Sequence, residues 1–409
     1  MKKSMLSQYA RLTVRVGANV QKGQWVVVRA AVDQAPLVER VVNECYRAGA
    51  EHVEVDWECS ALDRLAYGHE ALDVLSEVPE WKQARLKQRL EKLPCMIYIL
   101  SEDPDAMRGI DQGKMQKVRQ NRFLVTKPYS DAMENRYQWT IVGAPSVAWA
   151  KKVFPSLRAG TAVERLWQAI FDTVGLTGDT DPVEVWTKRN RQFEHRCRVM
   201  NELHLQSLHY HSANGTDFTV GLIPTAEWAG GGEETLSGAF FNPNLPTEEL
   251  FTTPMRGQAQ GRLVATKPLS HQGQLIEDFW LEFEQGRAVR WGARQGQEAL
   301  EKIITSDDGA AMLGEVALVP QSSPISRCGI LFYNTLYDEN ASCHVALGKG
   351  YTNVIQGFET MSQEELEKAG ANDSMVHVDF MIGADDLSII GKTADGREVV
   401  IFEQGEWAV

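Results

Sequence analysis

Acidic, histidine and tyrosine side chains gather between positions 315 and 379, in sequence that is otherwise rich in core-forming residues. The clearest pair is His377 and Asp379, which alternate with Val376, Val378 and Phe380. Because side chains on a β-strand point alternately to its two faces, this spacing predicts that both polar groups share one face. An imidazole beside a carboxylate suits a metal ion, although a solvent-exposed pair on a half-buried strand has the same pattern.

Further acids and imidazoles in this half of the chain enlarge the candidate set. Glu315 is followed by Val316 and Leu318, and an unpaired acid in such apolar surroundings carries a desolvation cost. Bridged divalent metals in hydrolases need several carboxylates, at least one of them shared, together with neutral imidazoles and a position for water. The residues that meet this need are Glu248, Glu249, Glu315, Glu339, His344, Tyr351, His377 and Asp379.

Length and cysteine usage indicate the kind of protein that carries these residues. A chain of 409 residues predicts two or three domains, each able to bury its own core. Its six cysteines contain no C-x-x-C pair, which argues against a zinc finger and favours a reducing compartment. We find neither a secretory signal nor a spanning segment, so we expect a cytoplasmic protein with buried thiols.

The charge of the chain argues against two classes of partner. A net charge of −13 repels nucleic acid and acidic membrane surfaces, so neither is expected to bind. One basic cluster, at residues 188–198, is interpreted as the exposed face of a helix.

The N-terminal part alternates predicted strands and helices, which is typical of an α/β domain with a mainly parallel sheet. Strands are predicted at 24–30, 52–58, 95–102 and 138–145, and helices include 35–48 and a long stretch at 60–92. The chain lacks G-x-G-x-x-G after the first strand, a P-loop and a G-x-S-x-G elbow, so nucleotide binding and serine hydrolysis are not indicated. We therefore interpret residues 1–185 as a scaffold and substrate-access domain.

A cluster of Gly, Asp, Thr and Pro at 177–185 predicts the domain boundary, and residues 186–409 form the second domain, predicted to be α+β. Hairpins are predicted at 208–223, around Asn214–Gly215, and at 275–291, around Gln285–Gly286. His209 and His211 flank the first turn and are expected to be exposed rather than functional.

In its acidic and histidine motifs the sequence resembles the aminopeptidase T / aminopeptidase S family of metallopeptidases. The resemblance lies in a P-T-E-E segment, a G-E-V-A segment, a D-E-N-A-S-x-H segment, a following tyrosine and a final H-x-D, all in the family's order. Carried onto this chain, the motifs fall on Glu249, Glu315, Glu339, His344, Tyr351, His377 and Asp379. Glu248 stands beside Glu249, and only one of two neighbours on an extended segment can face the site.

The resemblance implies a homodimer that removes single residues from the free N-terminus of peptides. It implies two divalent ions in the C-terminal domain, as zinc, cobalt, manganese or magnesium, held by Glu249, Glu315, Glu339, His344, His377 and Asp379. Glu315 would bridge the ions, and Tyr351 would donate to the developing oxyanion. Glu339 or Glu248 could transfer the proton to the leaving amine, and Glu339 is a candidate ion ligand as well.

Two alternatives have the same residues. Another dinuclear metal hydrolase, such as an amidase or a carboxypeptidase, would use the same ions on a different substrate. A non-enzymatic module would hold a structural metal, but structural zinc sites are usually rich in thiolate, whereas this set is rich in carboxylate.

Overall fold

The computed structural model describes residues 3–101, 103–271 and 274–409. The chain divides into two compact units, one with residues up to Thr187 and Gly232–Pro246, the other with Lys188–Gly231 and Thr247–Val409. The sequence predicts that the chain passes from one domain to the other once, near residue 185. In the structure it passes between the two units three times, after Thr187, Gly231 and Pro246.

The helices and strands are numbered in chain order. The helices are α1 Lys3–Leu12, α2 Ala35–Ala48, α3 Ser60–His69, α4 Leu72–Ser76, α5 Glu80–Lys92, α6 Gln112–Met133, α7 Val147–Val153, α8 Ala159–Thr173, α9 Pro182–Glu202, α10 Gln297–Ile304, α11 Pro324–Cys328, α12 Thr335–Asp338 and α13 Gln363–Ala369. The strands are β1 Trp25–Ala31, β2 His52–Glu58, β3 Cys95–Leu100, β4 Trp139–Gly143, β5 Leu205–Ser212, β6 Thr216–Leu222, β7 Ala229–Gly230, β8 Glu233–Glu234, β9 Phe240–Phe241, β10 Asn244–Leu245, β11 Leu250–Thr252, β12 Pro254–Val264, β13 Leu269–His271, β14 Gln274–Glu284, β15 Arg287–Gln295, β16 Leu313–Leu318, β17 His344–Gly348, β18 His377–Met381, β19 Ser388–Thr393, β20 Glu398–Glu403 and β21 Glu406–Trp407.

The first unit contains a five-stranded parallel sheet in the order β10-β4-β3-β1-β2. The predicted strands correspond to β1 to β4, and the predicted helix at 35–48 is α2. Gly49 ends α2 at φ 100°, a left-handed conformation that a residue without Cβ adopts easily. The α/β prediction with a parallel sheet is confirmed for this unit.

The long helix predicted at 60–92 is wrong, because the structure has the three helices α3, α4 and α5 there. Glu70 and Ala71 have extended backbones after α3, and Glu77 is extended after α4. Pro79 precedes α5 in an extended conformation. Its backbone nitrogen carries no hydrogen, so it cannot donate the hydrogen bond that would continue a preceding helix. Apolar periodicity alone did not show these interruptions.

The second unit is rich in sheet. A nine-stranded sheet follows the order β13-β14-β12-β6-β5-β19-β20-β21, with β15 paired to β14, and a five-stranded sheet has the order β18-β17-β16-β11-β7. Both predicted hairpins are confirmed as the antiparallel pairs β5–β6 and β14–β15. One core cluster joins residues of the two sheets, so the five-stranded sheet is apolar on the face that it buries.

None of the six cysteines, all of which lie within the described residues, forms a disulfide bond. Cys45, Cys95 and Cys343 are buried as expected, whereas Cys59, Cys197 and Cys328 are half-buried. In the described part of the chain, no helix is long and apolar enough to cross a membrane.

Candidate metal centre

The candidate residues lie on the five-stranded sheet of the second unit, which alternates between two kinds of side chain. One face supplies apolar residues to the core, and these are Val316, Leu318, Val345, Leu347, Val378 and Phe380. The residues between them point to the other face, and these include Glu315, His344, His377 and Asp379. The sequence prediction that His377 and Asp379 share a face of one strand therefore matches the register.

Small residues separate the polar side chains across the strands. Ala346 of β17 pairs with Glu315 of β16 on one side and with Asp379 of β18 on the other. Directly paired residues project from the same face, so only a methyl group lies between the two carboxylates. Gly348 likewise faces His377. Residues with little or no side chain therefore stand between the acidic and imidazole groups on this face.

His344 is fully buried and faces a carboxylate. Its Nε2 lies 3.1 Å from Glu249 Oε2, and its Nδ1 lies 3.1 Å from the carbonyl oxygen of Ser342. Since a carbonyl oxygen only accepts, Nδ1 carries a hydrogen and donates it to Ser342. Nε2 is therefore the ring atom that faces the acids.

His377 is arranged in the same way. Its Nδ1 donates to the carbonyl oxygen of Lys349 at 2.7 Å. Its Nε2 lies 3.1 Å from Glu315 Oε2 and 3.3 Å from Asp379 Oδ1. Metal-bound histidines usually donate their second ring N–H to a carbonyl or carboxylate, which directs the other nitrogen to the ion. Both histidines have this geometry.

These side chains form two groups whose ligand atoms lie within 4.8 Å of one another. The first contains Glu249, Glu315 and His344, and the second contains Glu315, His377 and Asp379. Glu315 belongs to both groups, so it is the candidate for a ligand shared by two ions.

Burial without a lysine or arginine partner shifts the ionisation of the acids. Burial raises the pKa of Glu315 to about 7, with Asp379 adding to the rise and the hydrogen bond from His377 opposing it. Burial and the carboxylates of Glu249 and Asp379 also raise the pKa of Glu339 well above its ordinary value. Burial disfavours the ionised form of Asp379 too, but the positive charge of the neighbouring His377, when its ring is protonated, lowers the pKa of Asp379.

Glu339 lies at the edge of this cluster, on a single 3-10 turn at Glu339–Ala341. It is half-buried, and neither of the two groups found among the described residues includes it. Its Oε1 lies 3.4 Å from Asn340 Nδ2. The structure thus brings Glu339 near the other acids without placing it in either group.

Tyr351 packs on the imidazole of His377. Their ring centroids are 5.0 Å apart, and the phenolic oxygen lies 3.4 Å from His377 Nε2. The ring also contacts Phe251, at a centroid distance of 5.1 Å, while 40% of the tyrosine surface remains exposed. The phenol therefore lies beside the ligand groups with solvent access.

Glu248 turns away from this cluster and forms an ion pair with Arg189. Burial raises its pKa to about 7, against the opposing charge of Arg189. Only 16% of the Arg189 side chain is exposed, so the interpretation of residues 188–198 as an exposed helix face is wrong at this residue. Of the two neighbouring glutamates, Glu249 is the one that faces the histidines.

His209 lies on the nine-stranded sheet, where its Nε2 is 2.8 Å from Asp217 Oδ1. His211 is exposed on the same strand, and neither histidine belongs to the two ligand groups. The predicted exposure is confirmed for His211, whereas His209 is half-buried.

The donor set fits divalent metal ions. Asp379 Oδ1 is buried and has no good hydrogen bond within the described residues, although it lies 3.3 Å from His377 Nε2. Such an atom costs free energy unless a cation satisfies it. Carboxylate oxygens and imidazole nitrogens are ligands that zinc, cobalt and manganese accept.

Sequence reasoning missed the groups that orient the ligands. The carbonyl oxygens of Ser342 and Lys349 fix the two imidazoles, but a main-chain atom leaves no residue-type signal. It also missed Phe251, which packs on Tyr351. The position of Phe251 two residues after Glu249 could have indicated this, since it shares that face of β11.

Comparison with known proteins assigns the chain to a family. Residues 2–407 match the family model described as thermophilic metalloprotease (M29). Aminopeptidase AmpS of Bacillus subtilis is 41% identical over 98% of each chain, and aminopeptidase T of Thermus aquaticus is 38% identical over 99% of this chain and 98% of its own. The solved structure of wild-type AmpT from Thermus thermophilus superposes with a TM-score of 0.92 at 34% identity, covering 99% of both chains. The chain with this acid and histidine cluster belongs to the M29 family of metallopeptidases.

Proposed function

We propose that this protein is a metal-dependent aminopeptidase that removes single residues from the free N-terminus of peptides by means of two divalent ions. The observation that carries the proposal is the position of Glu315, which is shared by two ligand groups that each contain a histidine with its Nε2 directed inward. Relatives at 41% and 38% identity that are named aminopeptidases support the reaction class.

Charge supports two ions rather than one. Glu249, Glu315, Glu339 and Asp379 carry four negative charges when ionised, and the two imidazoles are neutral as ligands. Two divalent cations would balance this charge, whereas one would leave a buried excess that is expensive in a low dielectric. We assign Glu249, Glu315 and His344 to one ion, and Glu315, His377 and Asp379 to the other.

Divalent ions held there would lower the pKa of a bound water to about 7 and polarise the scissile carbonyl. The chain itself supplies the remaining groups. Tyr351 has its hydroxyl beside His377 and solvent access, so we assign it the hydrogen bond to the developing oxyanion. Glu339 stands outside both ligand groups, so we assign it the proton transfer to the leaving amine, with ion binding as its alternative role.

The same site would select free N-termini. The α-amino group of the substrate can bind one of the two ions through its lone pair or, when protonated, pair with a nearby carboxylate. An acetylated N-terminus lacks this free amine. A metal amidase or carboxypeptidase would not depend on it, and this difference separates the two hydrolase classes.

The second unit is the proposed catalytic domain, because every assigned side chain belongs to it. The first unit is the proposed scaffold and substrate-access domain. The family resemblance further leads us to propose a homodimer, and the six unbridged cysteines agree with a reducing, cytoplasmic location. Sedimentation of the purified chain measures the oligomeric state directly.

The test is hydrolysis of a leucyl chromogenic amide by chelator-treated protein, with zinc, cobalt, manganese or magnesium added back singly. The N-acetylated amide is the matched control. Restored cleavage of the free amine alone is the expected result. Cleavage of both substrates would indicate a different hydrolase, and ion binding without cleavage would indicate a metal-binding module.

A further inference from the structure

The turn between β17 and Tyr351 supplies the acceptor that orients His377. Lys349, in the middle of this turn, accepts the Nδ1 hydrogen of His377 at 2.7 Å. The amide of Lys349 donates in turn to the carbonyl oxygen of Val376, also at 2.7 Å. The turn and the start of β18 are thereby joined at two points around the imidazole.

Asn372 stabilises this turn through hydrogen bonds to its main chain. Its side chain is 2% exposed, and Nδ2 donates to the carbonyl oxygens of Gly348 at 2.6 Å and Gly309 at 2.9 Å. The main-chain carbonyl oxygen of Asn372 also accepts a hydrogen bond from the amide of Gly350, at 2.8 Å. One buried residue therefore forms hydrogen bonds with both ends of the turn, at Gly348 and Gly350, and with Gly309 in the loop before β16.

Close backbone contacts restrict the same turn. A Cβ on Gly314 would lie 2.3 Å from the carbonyl oxygen of Lys349, and one on Gly348 would lie 2.0 Å from that of Val376. Gly348 also has φ +103°, which disfavours any residue with a side chain. The Lys349 carbonyl therefore lies directly against the backbone of Gly314.

We propose that Asn372 is a positioning residue for the metal centre, because it holds the Lys349 carbonyl where it keeps the ring hydrogen of His377 on Nδ1. This inference rests on the proposed role of His377 as an ion ligand. Two carboxylates face Nε2, at 3.1 Å for Glu315 and 3.3 Å for Asp379, and both attract a hydrogen to that nitrogen. The Lys349 carbonyl is the acceptor that opposes them from the other side of the ring. Without it, the neutral ring favours a hydrogen on Nε2, and the lone pair that an ion needs is lost.

The test compares Asn372→Ala with Asn201→Ala in the full chain. Asn201 is a matched control, because its amide also makes two hydrogen bonds to backbone, at 3.2 Å and 2.7 Å to Trp228, away from the turn. Zinc is the probe, titrated against a competing chelator. We expect one of the two ions to bind about 10–100-fold more weakly in Asn372→Ala, as for other losses of groups behind a ligand, and both to bind normally in Asn201→Ala.

A second measurement separates positioning from general loosening of the fold. In zinc-loaded protein with ring-labelled histidine, the Nδ1–H of His377 should give a protected NMR resonance, assigned by its absence in His377→Gln. It should persist in Asn201→Ala and disappear in Asn372→Ala. A wild-type protein without this resonance, or an Asn372→Ala protein that retains both the resonance and normal zinc affinity, would overturn the role of Asn372.

Asn372→Asp covers the case in which the alanine variant fails to fold. It preserves the shape of the side chain, but its carboxylate donates no hydrogen bond to Gly348. Normal zinc affinity in the folded aspartate variant would contradict the proposal. Neither the zinc titration nor the NMR measurement needs a substrate, so both remain valid if the protein shows no peptidase activity. A wild-type chain that binds no zinc would overturn the proposed metal site and the role of Asn372 together.

Discussion

The two five-stranded sheets both carry acids on one face, but they compensate the charge differently. On the parallel sheet, the acids of β2 each pair with arginine, and the pairs are Glu54 with Arg85, Asp56 with Arg85 and Arg89, and Glu58 with Arg29. On the antiparallel sheet, the acids face one another and two histidines.

The ionisation of the acids reflects this difference. Burial opposes ionisation of Asp56, yet its bonds to Arg85 and Arg89 lower its pKa, whereas burial raises that of Glu315 to about 7. Acids that the chain neutralises itself contribute to structure. Acids that face only histidines, whose own pKa values they raise to about 10 for His344 and about 11 for His377, are suited to exchange those protons for metal ions from solution.

The largest expected effect is the loss of activity in Glu315→Gln. The amide keeps the size of the side chain but cannot bridge two cations, so kcat/KM should fall by about 10³-fold, or about 4 kcal/mol of transition-state stabilisation. Asp56→Asn is the matched change on the other sheet and should leave activity unchanged. Steady-state kinetics measures both, and wild-type turnover in Glu315→Gln would remove the bridging role.

Ion removal should lower stability through the antiparallel sheet alone. An ion present at 100 times its Kd stabilises the folded chain by about 2.7 kcal/mol, because it binds the native state and not the unfolded one. Thermal unfolding with and without chelator should show a drop of several degrees in wild-type and Asp56→Asn. An equal drop in Glu315→Gln would contradict the assignment of the site.

Ala346→Val tests the space between the two ligand strands. The added methyl groups project between Glu315 and Asp379, and overpacking of this kind costs about 1–3 kcal/mol, so ion affinity should fall about tenfold. Ala346→Gly keeps the space and should retain both ions. Metal titration of the two variants decides the matter, and equal affinities would show that the ions do not lie over Ala346.

The smallest effect concerns the pH dependence of Asp56. Its folded pKa is below the unfolded value of about 3.9, so its contribution is present above that pH and is lost as the pH falls through the folded pKa. Asp56→Asn should be less stable than wild-type by about 1 kcal/mol at neutral pH, since the pair is partly exposed. Urea unfolding should show that the difference shrinks below about pH 4, and a constant difference would contradict it.

The sequence predicted the elements whose signal is local. Continuous β-branched runs gave β1 and β3, and Asn214–Gly215 gave the first hairpin. The ligand candidates were found because their residue types are rare in apolar strands. Their meeting in space depends on the register of β16, β17 and β18, which no single strand encodes.

Other features of the site had no sequence signal. Which of Glu248 and Glu249 faces the site depends on Arg189, which pairs with Glu248. Arg189 is far from both in sequence, and in the sequence it is indistinguishable from the other basic residues of its helix. The orientation of the imidazoles depends on main-chain oxygens. Asn372 resembles an ordinary loop asparagine until its two carbonyl partners are seen.

The short strand β10 has a consequence for how the chain is made. It completes the edge of the parallel sheet by pairing Asn244 and Leu245 with Ile141 and Val142 of β4. A ribosome must therefore synthesise residues 188–231, which belong to the other unit, before this edge is covered. Until then, β4 exposes unpaired backbone groups of the kind that recruit foreign strands, so the nascent chain is vulnerable to aggregation during that interval.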